Sequence, residues 1–429
     1  MKTLQVIYRG WGAHWPLGLL ADTGRDILFE YSTDAIAHGL QLSPLHHPLP
    51  RAGAATATFK GEPHFQGLPG FVADALPDGW GMLLMDRAIR QAGRNPHEVS
   101  VLERLAIVGD RALGALSFEP AQNEVLPSET LDLIRLAADV AALQTESHTE
   151  SDATSIDDRL RHLMQLGGSP QGARPKVLAD FNQSSGQLSS ALPTAATAKP
   201  WLFKFPAQGE HTEVCALEEL YARIARKMGI EMPSSQFFEL GKQHSAFGVE
   251  RFDRVVNGTN LLRVPVMSLS AYVQSNFRLP SLDYETLLLA TLRITGDQRE
   301  VVKAFERCVF NVLMHNRDDH GRNFAFRMDE QGLWKLAPAF DLTYSVGPGG
   351  QHSTTVAGHG RNISRDHLLQ VAKTSGVPVK LANDFIDQAV QVTGEAQTLV
   401  GDLPIRKSTL EQWVKTIRAC AELVRRRAI

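Results

Sequence analysis

The pattern of hydrophobic positions predicts a mixture of short strands and helices over the first part of the chain. Apolar β-formers concentrate in "LQVIY" (4–8) and "ILFEY" (27–31), which are typical of strands. Within residues 71–93 a helix is predicted after the turn-forming "LPDG" (76–79), and 100–109 predict a second helix. "GALSFEP" (114–120) has the pattern of a strand again. We therefore expect a small mixed unit that ends where this strand ends.

The middle of the chain predicts helices followed by strands. Residues 128–166 have a helical pattern with a polar interruption at 144–154. Strands are predicted at 175–181 and 201–206. Between these strands, residues 182–200 are rich in small side chains and favour a flexible hairpin connection.

The last part of the chain is predicted to be mostly helical. A strongly periodic helix spans 213–230, and two strands around a turn follow in 236–255. Helices dominate from residue 256 onward, apart from a hairpin near 324–340. Strand-rich segments thus come first and helical segments second, which is typical of the α+β class.

Length and composition bound the class of protein. With 429 residues, the chain is too long for one compact core. We place its parts at 1–120, 121–255 and 256–429. A hydrophobic fraction of 43% is ordinary for a globular protein, and a formal charge of −3 argues against a protein that coats a polyanion.

Cysteine usage and hydropathy predict the compartment. The 3 cysteines lie far apart in sequence, which argues against a disulfide framework and fits a reducing cytosol. The first residues lack the apolar core of a signal peptide, and no apolar run reaches the length of a membrane span. We therefore expect a soluble, cytoplasmic protein that does not act at a membrane.

A lysine on a predicted strand and a glutamate on the next helix form the first candidate pair. Alternation in "WLFKFP" places Lys204 on the face opposite the aromatic side chains, although an edge-strand lysine in solvent is the alternative. Glu218 falls within an apolar helical stripe, where a carboxylate needs a cationic partner or a shifted pKa. Protein kinases use such a pair to position nucleotide phosphates. By contrast, Glu219 is expected on the solvated side, where it can pair with Arg223.

The stretch "HNRDDHGRN" (315–323) concentrates acidic, amide and imidazole side chains in one loop. Asp318 is followed five residues later by Asn323, which is the D-x-x-x-x-N spacing of a kinase catalytic loop. An aspartate at this point orients the attacking hydroxyl, and an amide oxygen one loop turn later reaches a phosphate-bound metal. After the predicted hairpin, "APAFDLTYS" presents Asp341, where kinases place a second metal-binding aspartate.

A glycine-rich segment, "GGSPQGARPK" (167–176), precedes a predicted strand. Gly168 and Gly172 can bring backbone N–H groups close to phosphate oxygens, and a plain tight turn is the alternative. The segment is not a Walker loop, because G-K-[ST] is missing. Lys176 adds positive charge beside the proposed phosphate cradle, and Ser169 is a hydroxyl that could itself be phosphorylated.

The order of these motifs follows the order that a protein kinase requires: glycine-rich loop, strand lysine, helix glutamate, Asp-x4-Asn loop, hairpin and aspartate. Together with "VERFDR" and the N-terminal "GFVADALPDGWG" and "ALGALSFEP", they resemble the HipA-like serine/threonine kinases of bacterial toxin–antitoxin systems. The resemblance covers nearly the whole chain. Its most specific mark is the N-x-D-x-H-x-x-N pattern of Asn316, Asp318, His320 and Asn323.

The resemblance implies a two-lobed, protein-kinase-like α+β fold with a mixed α/β N-terminal part and an all-helical C-terminal lobe. It implies the use of ATP and Mg²⁺, with Asp318 as the catalytic base and with Asn323 and Asp341 as the metal-binding residues. It also implies that Lys204 contacts the ATP phosphates. We expect six further residues to complete the nucleotide site: Gly168, Ser169, Gly172, Lys176, Glu218 and His320.

The resemblance also implies regulation and partners. Ser169 matches the position at which members of the family autophosphorylate, a modification that ejects the glycine-rich loop and silences the enzyme. Members phosphorylate proteins, including aminoacyl-tRNA synthetases, and so block translation. Their usual partner is a small helix-turn-helix antitoxin that also binds operator DNA, so DNA contact is expected only through that partner.

Two other functions fit parts of the pattern. A metal-dependent phosphohydrolase could use His315, Asp318, Asp319 and His320, because imidazole and carboxylate suit a transition metal, but it leaves the strand lysine and the helix glutamate unexplained. A non-catalytic module that binds ATP without transferring phosphate is the second alternative. If the kinase hypothesis holds, we expect His320 to hold the catalytic loop through a hydrogen bond and Asp319 to cap a backbone group or face solvent.

Overall fold

The computed structural model describes residues 2–51, 53, 57–122, 130–145, 153–167, 172–190 and 198–425. The chain divides into two units. The first unit comprises Met1–Cys215 and Ser234–Val266, and the second comprises Ala216–Pro233 and Met267–Ile429. The three-part division at 1–120, 121–255 and 256–429 stays a prediction.

An antiparallel five-stranded sheet, in the order β4-β3-β2-β1-β5, forms the N-terminal part of the first unit. Its strands are β1 Thr3–Tyr8, β2 Trp15–Asp22, β3 Ile27–Tyr31, β4 Thr58–Lys60 and β5 Leu116–Glu119. The last strand returns to pair with the first, so that Val6 lies opposite Phe118 and both side chains are fully buried. This pairing explains why a strand pattern recurs after two helices, and the strands predicted at 4–8, 27–31 and 114–120 are confirmed.

The helices of the first unit follow the predicted segments. They are α1 Thr33–His38, α2 Gly70–Ala73, α3 Gly79–Gln91, α4 Val101–Val108, α5 Leu133–Thr145 and α6 Ala153–Gly167. Helix α3 begins directly after the "LPDG" turn, as predicted. Helix α4 begins with a capping box, in which Ser100 and Glu103 satisfy each other's backbone N–H groups. The predicted break between α5 and α6 falls largely on residues outside those described.

A six-stranded sheet, in the order β10-β11-β9-β7-β8-β6, forms the other part of the first unit. Its strands are β6 Thr130–Leu131, β7 Lys176–Asn182, β8 Gln187–Ser189, β9 Ala198–Lys204, β10 Ser235–Leu240 and β11 His244–Glu250. A separate hairpin follows, formed by β12 Arg254–Asn257 and β13 Asn260–Arg263. The connection predicted at 182–200 is not wholly irregular, because Leu188 on β8 packs into the sheet opposite Phe181; residues 191–197 lie outside the described ones.

The "VERFDR" motif forms a buried ion cluster that joins the two parts of the first unit. Asp253 accepts hydrogen bonds from the Gly114 N–H at 2.8 Å and from Arg254 at 2.7 Å, and Arg251 pairs with the same carboxylate at 2.8 Å. Arg254 also donates to the carbonyl oxygens of Gly114 and Ala112. Burial alone raises the pKa of Asp253, but the two guanidinium groups outweigh it and hold that pKa well below its usual range. The motif is therefore structural.

The second unit is mainly helical and is built around one central helix. Its helices are α7 Glu213–Lys227, whose first three residues belong to the first unit, α8 Leu269–Val273, α9 Tyr284–Thr295, α10 Gln298–Leu313, α11 Arg365–Thr374, α12 Val379–Glu395 and α13 Lys407–Arg425. Helix α10 contacts α9, α11, α12 and α13. The side predicted to be buried is confirmed, with every member at most 4% exposed: Val301, Phe305, Cys308, Val309 and Val312.

Short strands accompany the helices of the second unit. They are β14 Val266–Ser268, β15 Leu282–Asp283, β16 Ala325–Met328, β17 Trp334–Leu336 and β18 Thr354–Thr355. The pair β16–β17 is the predicted hairpin, and β14 extends it into a three-stranded sheet. Strands β15 and β18 form a parallel pair. The predicted helical lobe thus carries small sheets as well. Among the described helices, none combines the length and the apolarity that a bilayer span requires.

Candidate active site

The candidate residues belong to both units. The glycine-rich loop and the strand lysines lie in the first unit, and the catalytic loop lies in the second, together with Glu218 and Asp341. Gly168 and Ser169 lie outside the described residues. The convergence of the two groups on one nucleotide stays a prediction.

Two lysines of the first unit lie directly opposite each other in the sheet. Lys176 on β7 pairs in register with Lys204 on β9, and their exposed fractions are 5% and 4%. The alternative of an edge lysine in solvent is therefore wrong for Lys204, because β9 lies between β11 and β7. Neighbouring ammonium groups repel each other, and burial increases the cost. One face of this sheet thus carries two lysine side chains, and ammonium groups are the charged donors that bind phosphate oxygens.

Gly172 brings the end of the glycine-rich loop against one of these lysines. Its φ is +101°, and a Cβ added there would lie 2.3 Å from the Lys176 Nζ. Only glycine combines this conformation with so close an approach. The ammonium group therefore packs on the loop backbone, at the point where the loop enters β7.

The catalytic loop begins directly after helix α10 and is held at its start by buried polar contacts. The Tyr221 hydroxyl donates a hydrogen bond to the carbonyl oxygen of Met314 and accepts one from Trp413 Nε1 at 3.1 Å. The next residue, His315, has a positive φ of 54°, stacks on Tyr344 at 5.3 Å, and places its Nδ1 3.1 Å from the Ser345 carbonyl oxygen. Helices α7, α10 and α13 thus fix the direction in which the chain enters the loop.

Asp318 and Asn323 are joined within the loop. The side chain of Asp318 is 53% exposed, so its carboxylate can meet a substrate hydroxyl. The Asn323 Nδ2 donates to the Asp318 backbone carbonyl at 2.6 Å. Because the amide nitrogen is used in this way, the carbonyl oxygen Oδ1 is the atom of Asn323 that can bind a metal.

Asp319 has the opposite environment: the prediction that it caps a backbone group is confirmed, and the alternative that it faces solvent is wrong. Its side chain is fully buried and accepts hydrogen bonds from Tyr284 Oη at 2.8 Å and from His352 Nδ1 at 2.7 Å. The N–H groups of Ser353 and Thr354 donate to its other oxygen at 2.8 and 3.3 Å. A carboxylate is tolerated in this core because four donors converge on it.

A relay of amide and hydroxyl groups connects the start of the loop to the Asp319 carboxylate. Asn316 Nδ2 donates to Asn311 Oδ1 at 3.0 Å, and Asn311 Nδ2 donates to Tyr284 Oη at 2.8 Å. The tyrosine hydroxyl then donates to Asp319. Sequence analysis missed Asn311, Tyr284 and His352, because no local spacing links them to the loop.

His320 does not hold the catalytic loop by the hydrogen bond that we predicted. Its Nε2 lies 3.8 Å from the Asp318 carboxylate, which is longer than a hydrogen bond. Among the described residues, no acceptor or donor reaches its buried Nδ1. The His320 imidazole instead packs near Phe277, at 5.7 Å between ring centroids. The Arg322 guanidinium lies over the Phe277 ring at 4.0 Å. Its role in nucleotide binding stays a prediction.

Asp341 and Asn323 line one small cavity of the second unit. Asp341 has a positive φ of 57°, a conformation that non-glycine residues hold mainly where the surrounding structure imposes it. Asn316 also lines the cavity, and no donor among the described residues reaches its buried Oδ1. Carboxylate and amide oxygens are the ligands that Mg²⁺ prefers, so the residues fit this ion.

The positions of two candidate ligands, His315 and Asp319, do not suit the metal site of a phosphohydrolase. Among the described residues, no group of three or more His, Cys, Asp and Glu side chains could hold a metal ion. His315 is turned to Tyr344, and Asp319 is occupied by its four donors. Mg²⁺ shared with a triphosphate needs only one or two protein carboxylates, whereas a hydrolytic transition-metal site needs more ligands from the protein.

Glu218 lies on the buried stripe that the sequence predicts for helix α7. It is 3% exposed, and Tyr221, Ala225 and Met228 of the same stripe are at most 1% exposed. Its ion pair with Lys204 stays a prediction.

Glu219 pairs with Arg223 at 3.1 Å, as predicted, but it does not lie on a solvated side. The glutamate is 4% exposed, because Arg226 also covers it at 3.3 Å. Arg223 in turn donates to the Leu399 carbonyl oxygen, so a turn from the far end of the unit lies over this pair.

Replacing His315 by glutamine is expected to weaken the dependence of stability on pH. Burial, reinforced by Arg317, lowers the pKa of His315 to about 4, whereas an unfolded histidine has a pKa of about 6.5. Between these values the unfolded chain binds the additional proton, so this contribution is fully present above about pH 6.5 and is lost as the pH falls toward about 4. Urea unfolding at several pH values should show a shallower decline in the variant. Parallel declines for both proteins would contradict the expectation.

The fold of the chain and its similarity to known proteins show its family. The chain has an α+β fold in which an Asp-x4-Asn loop follows the central helix of its second unit. Residues 168–397 match the HipA-like C-terminal domain, and residues 9–119 match the HipA N-terminal domain. The chain therefore belongs to the HipA-like family.

Individual relatives agree with this assignment. The chain is 25% identical over 458 aligned positions to the protein named "Putative kinase Y4mE" of Sinorhizobium fredii (strain NBRC 101917 / NGR234), with 99% of each chain covered. It is 23% identical to "Putative kinase Y4dM" of the same strain, over 79% of this chain and 78% of the other. A solved structure of HipA from Shewanella oneidensis MR-1, in complex with HipB and operator DNA, matches with a TM-score of 0.71 at 16% identity and covers 98% of this chain and 97% of that one. The α+β fold prediction is thereby confirmed.

Proposed function

We propose that the protein is an ATP- and Mg²⁺-dependent serine/threonine protein kinase of the HipA type and the toxin component of a toxin–antitoxin module. The proposal rests on the different positions of three polar side chains in the second unit. Asp318 exposes its carboxylate, while the Asn323 amide and the Asp341 carboxylate line one cavity. The buried lysine pair of the first unit supplies the positive charge that a triphosphate needs. Family membership and the names of two relatives support the same function.

In this mechanism Asp318 orients a serine or threonine hydroxyl for in-line attack and accepts its proton. The hydroxyl oxygen bonds to the γ-phosphorus while the bond from that phosphorus to the β–γ bridging oxygen breaks, so that ADP leaves. Lys204, oriented by Glu218, and Lys176 bind phosphate oxygens. Asn323 and Asp341 would hold Mg²⁺, and the bound ion would supply charge neutralisation.

The wider biological role rests on the family. We propose that the substrate is a protein of the translation machinery, with an aminoacyl-tRNA synthetase as the expected class, and that the reaction takes place in the cytoplasm. The Shewanella HipA structure contains HipB and operator DNA. By analogy, we propose a helix-turn-helix antitoxin as the partner and contact with DNA only through it.

Incubation with Mg²⁺ and ATP labelled in its γ-phosphate tests the proposal. We expect label on Ser169, where transfer should be lost in Ser169→Ala and retained in a matched control, Ser184→Ala, which lies in an exposed turn. Release of free phosphate from a phosphoester, without labelled protein, would instead indicate the phosphohydrolase. Retention of ATP without any transfer would indicate the binding module.

A further inference from the structure

The start of helix α3, in the N-terminal part of the first unit, binds the glycine-rich loop directly. The Gly172 N–H donates a hydrogen bond to the Asp78 carboxylate, and the Trp80 N–H donates to the Gly172 carbonyl oxygen at 3.1 Å. Both backbone polar groups of Gly172 are therefore bound by residues more than ninety positions earlier in the chain. We name Asp78, Gly79 and Trp80 the loop clasp.

Asp78 occupies the N-cap position of α3 but does not cap its own helix. An aspartate at this position usually accepts a hydrogen bond from the second or third N–H group of the helix. Here no such bond forms, and the carboxylate binds Gly172 instead. In return, the Gly172 carbonyl oxygen accepts from Trp80, the second residue of the helix. The Asp78 carboxylate thus binds the loop instead of its own helix, and an N–H group of the helix binds the loop carbonyl oxygen.

Gly79 makes this close approach possible. A Cβ added at residue 79 would lie 2.5 Å from the Gly172 carbonyl oxygen and 2.7 Å from the Ala173 Cα. Its φ of +46° also lies in the region that favours glycine. Any other residue here would push the loop backbone away from the helix.

The contact continues from the clasp to the candidate phosphate site. Gly172 carries the clasp's hydrogen bonds on its backbone, and the Lys176 ammonium packs against the same residue. Lys176 is buried and lies opposite Lys204 in the sheet. A displacement of Gly172 therefore changes the space that the Lys176 ammonium occupies.

We propose that the loop clasp is a positioning element for nucleotide binding: it holds Gly172 at positive φ and so sets the place of Lys176. Asp78 acts through Gly172 and is a positioning residue rather than a catalytic one. The proposal rests on the proposed kinase function and gives the N-terminal part of the chain a role in that reaction.

The test compares variants of two aspartates on one helix. Asp78→Ala is expected to raise the ATP KM and the dissociation constant of Mg²⁺-ADP roughly tenfold, the effect of one lost hydrogen bond, with kcat changed much less. Asp78→Asn keeps an acceptor oxygen and should restore most of the affinity. Asp86 lies on the same helix as Asp78, and Asp86→Ala removes its 2.7 Å ion pair with Arg104 of α4. This control should lower the melting temperature without changing the KM.

One outcome would overturn the proposal. Asp78→Ala would lower the melting temperature and leave the KM and the ADP affinity at their wild-type values, as expected of Asp86→Ala. If Asp78→Ala does not fold, Gly79→Ala provides the second variant, since it displaces Gly172 while keeping the carboxylate, and it is expected to raise the same two constants. The ADP titration needs no transfer, so it decides the role of the clasp even if the wild type proves not to be a kinase.

Discussion

Asp318→Asn is expected to reduce phosphate transfer by roughly a thousandfold, because a positioned general base contributes about 10²–10⁴ in rate. The amide keeps the size of the side chain but cannot accept the hydroxyl proton. Nucleotide affinity and stability should stay near the wild-type values, since the side chain is 53% exposed and the bond to Asn323 uses the backbone carbonyl. Single-turnover transfer at saturating ATP, an ADP titration and a melting curve measure the three quantities.

A matched control for this experiment is Asp384→Asn. Asp384 is also an exposed aspartate of the second unit, at 65%, and its ion pair with Lys380 is 3.5 Å long. Surface pairs of this kind contribute little to stability, so the control should transfer phosphate at the wild-type rate. Wild-type transfer by Asp318→Asn would show that another group takes the proton.

Local periodicity predicted those features that depend on neighbours in sequence. The buried side of α10 follows from spacings of three and four residues, and the inward position of Glu218 follows from the same rule on α7. The spacing of Asp318 and Asn323 is local as well, and their hydrogen bond closes within one loop. In each case the residues that determine the burial or the hydrogen bond lie close together in sequence.

Features that depend on distant segments could not be predicted in this way. Glu219 looks solvated on a helical wheel, but Arg223 and Arg226 cover it, and Arg223 also donates to the distant Leu399 carbonyl oxygen. The loop clasp joins Asp78 to Gly172, and no motif at either end indicates the other. The strand position of Lys204 was predictable, whereas its burial depends on the neighbouring strands on both sides.

The adjacent aspartates of the catalytic loop show this limit most clearly. Asp318 and Asp319 have the same side chain and nearly the same sequence environment, but one is exposed and the other is fully buried. The partners that bury Asp319 come from about 35 residues before it and from 33 to 35 residues after it. Only the fold brings Tyr284 and His352 to the carboxylate, so a motif alone could not assign the two roles.

Asp319→Ala is therefore expected to act on stability, in contrast to Asp318→Asn. Leaving a buried hydrogen-bond donor without its acceptor costs about 1–3 kcal/mol. Here the loss leaves the Tyr284 hydroxyl, the His352 imidazole and two backbone N–H groups without their acceptor. Phosphate transfer should fall too, because the loop loses its attachment to residues 352–354. Urea unfolding of both variants measures the difference.

A double-mutant cycle with His352→Ala separates this network from a general loss of packing. If the carboxylate and the imidazole stabilise each other, the double variant should be more stable than the sum of the single effects predicts, by about 0.5–3 kcal/mol. Additive effects, or a loss below about 1 kcal/mol for Asp319→Ala, would mean that the buried carboxylate does not hold the loop. The neighbouring aspartates would then differ in exposure but not in function. Asp319 could no longer be assigned a structural role distinct from the chemical role of Asp318.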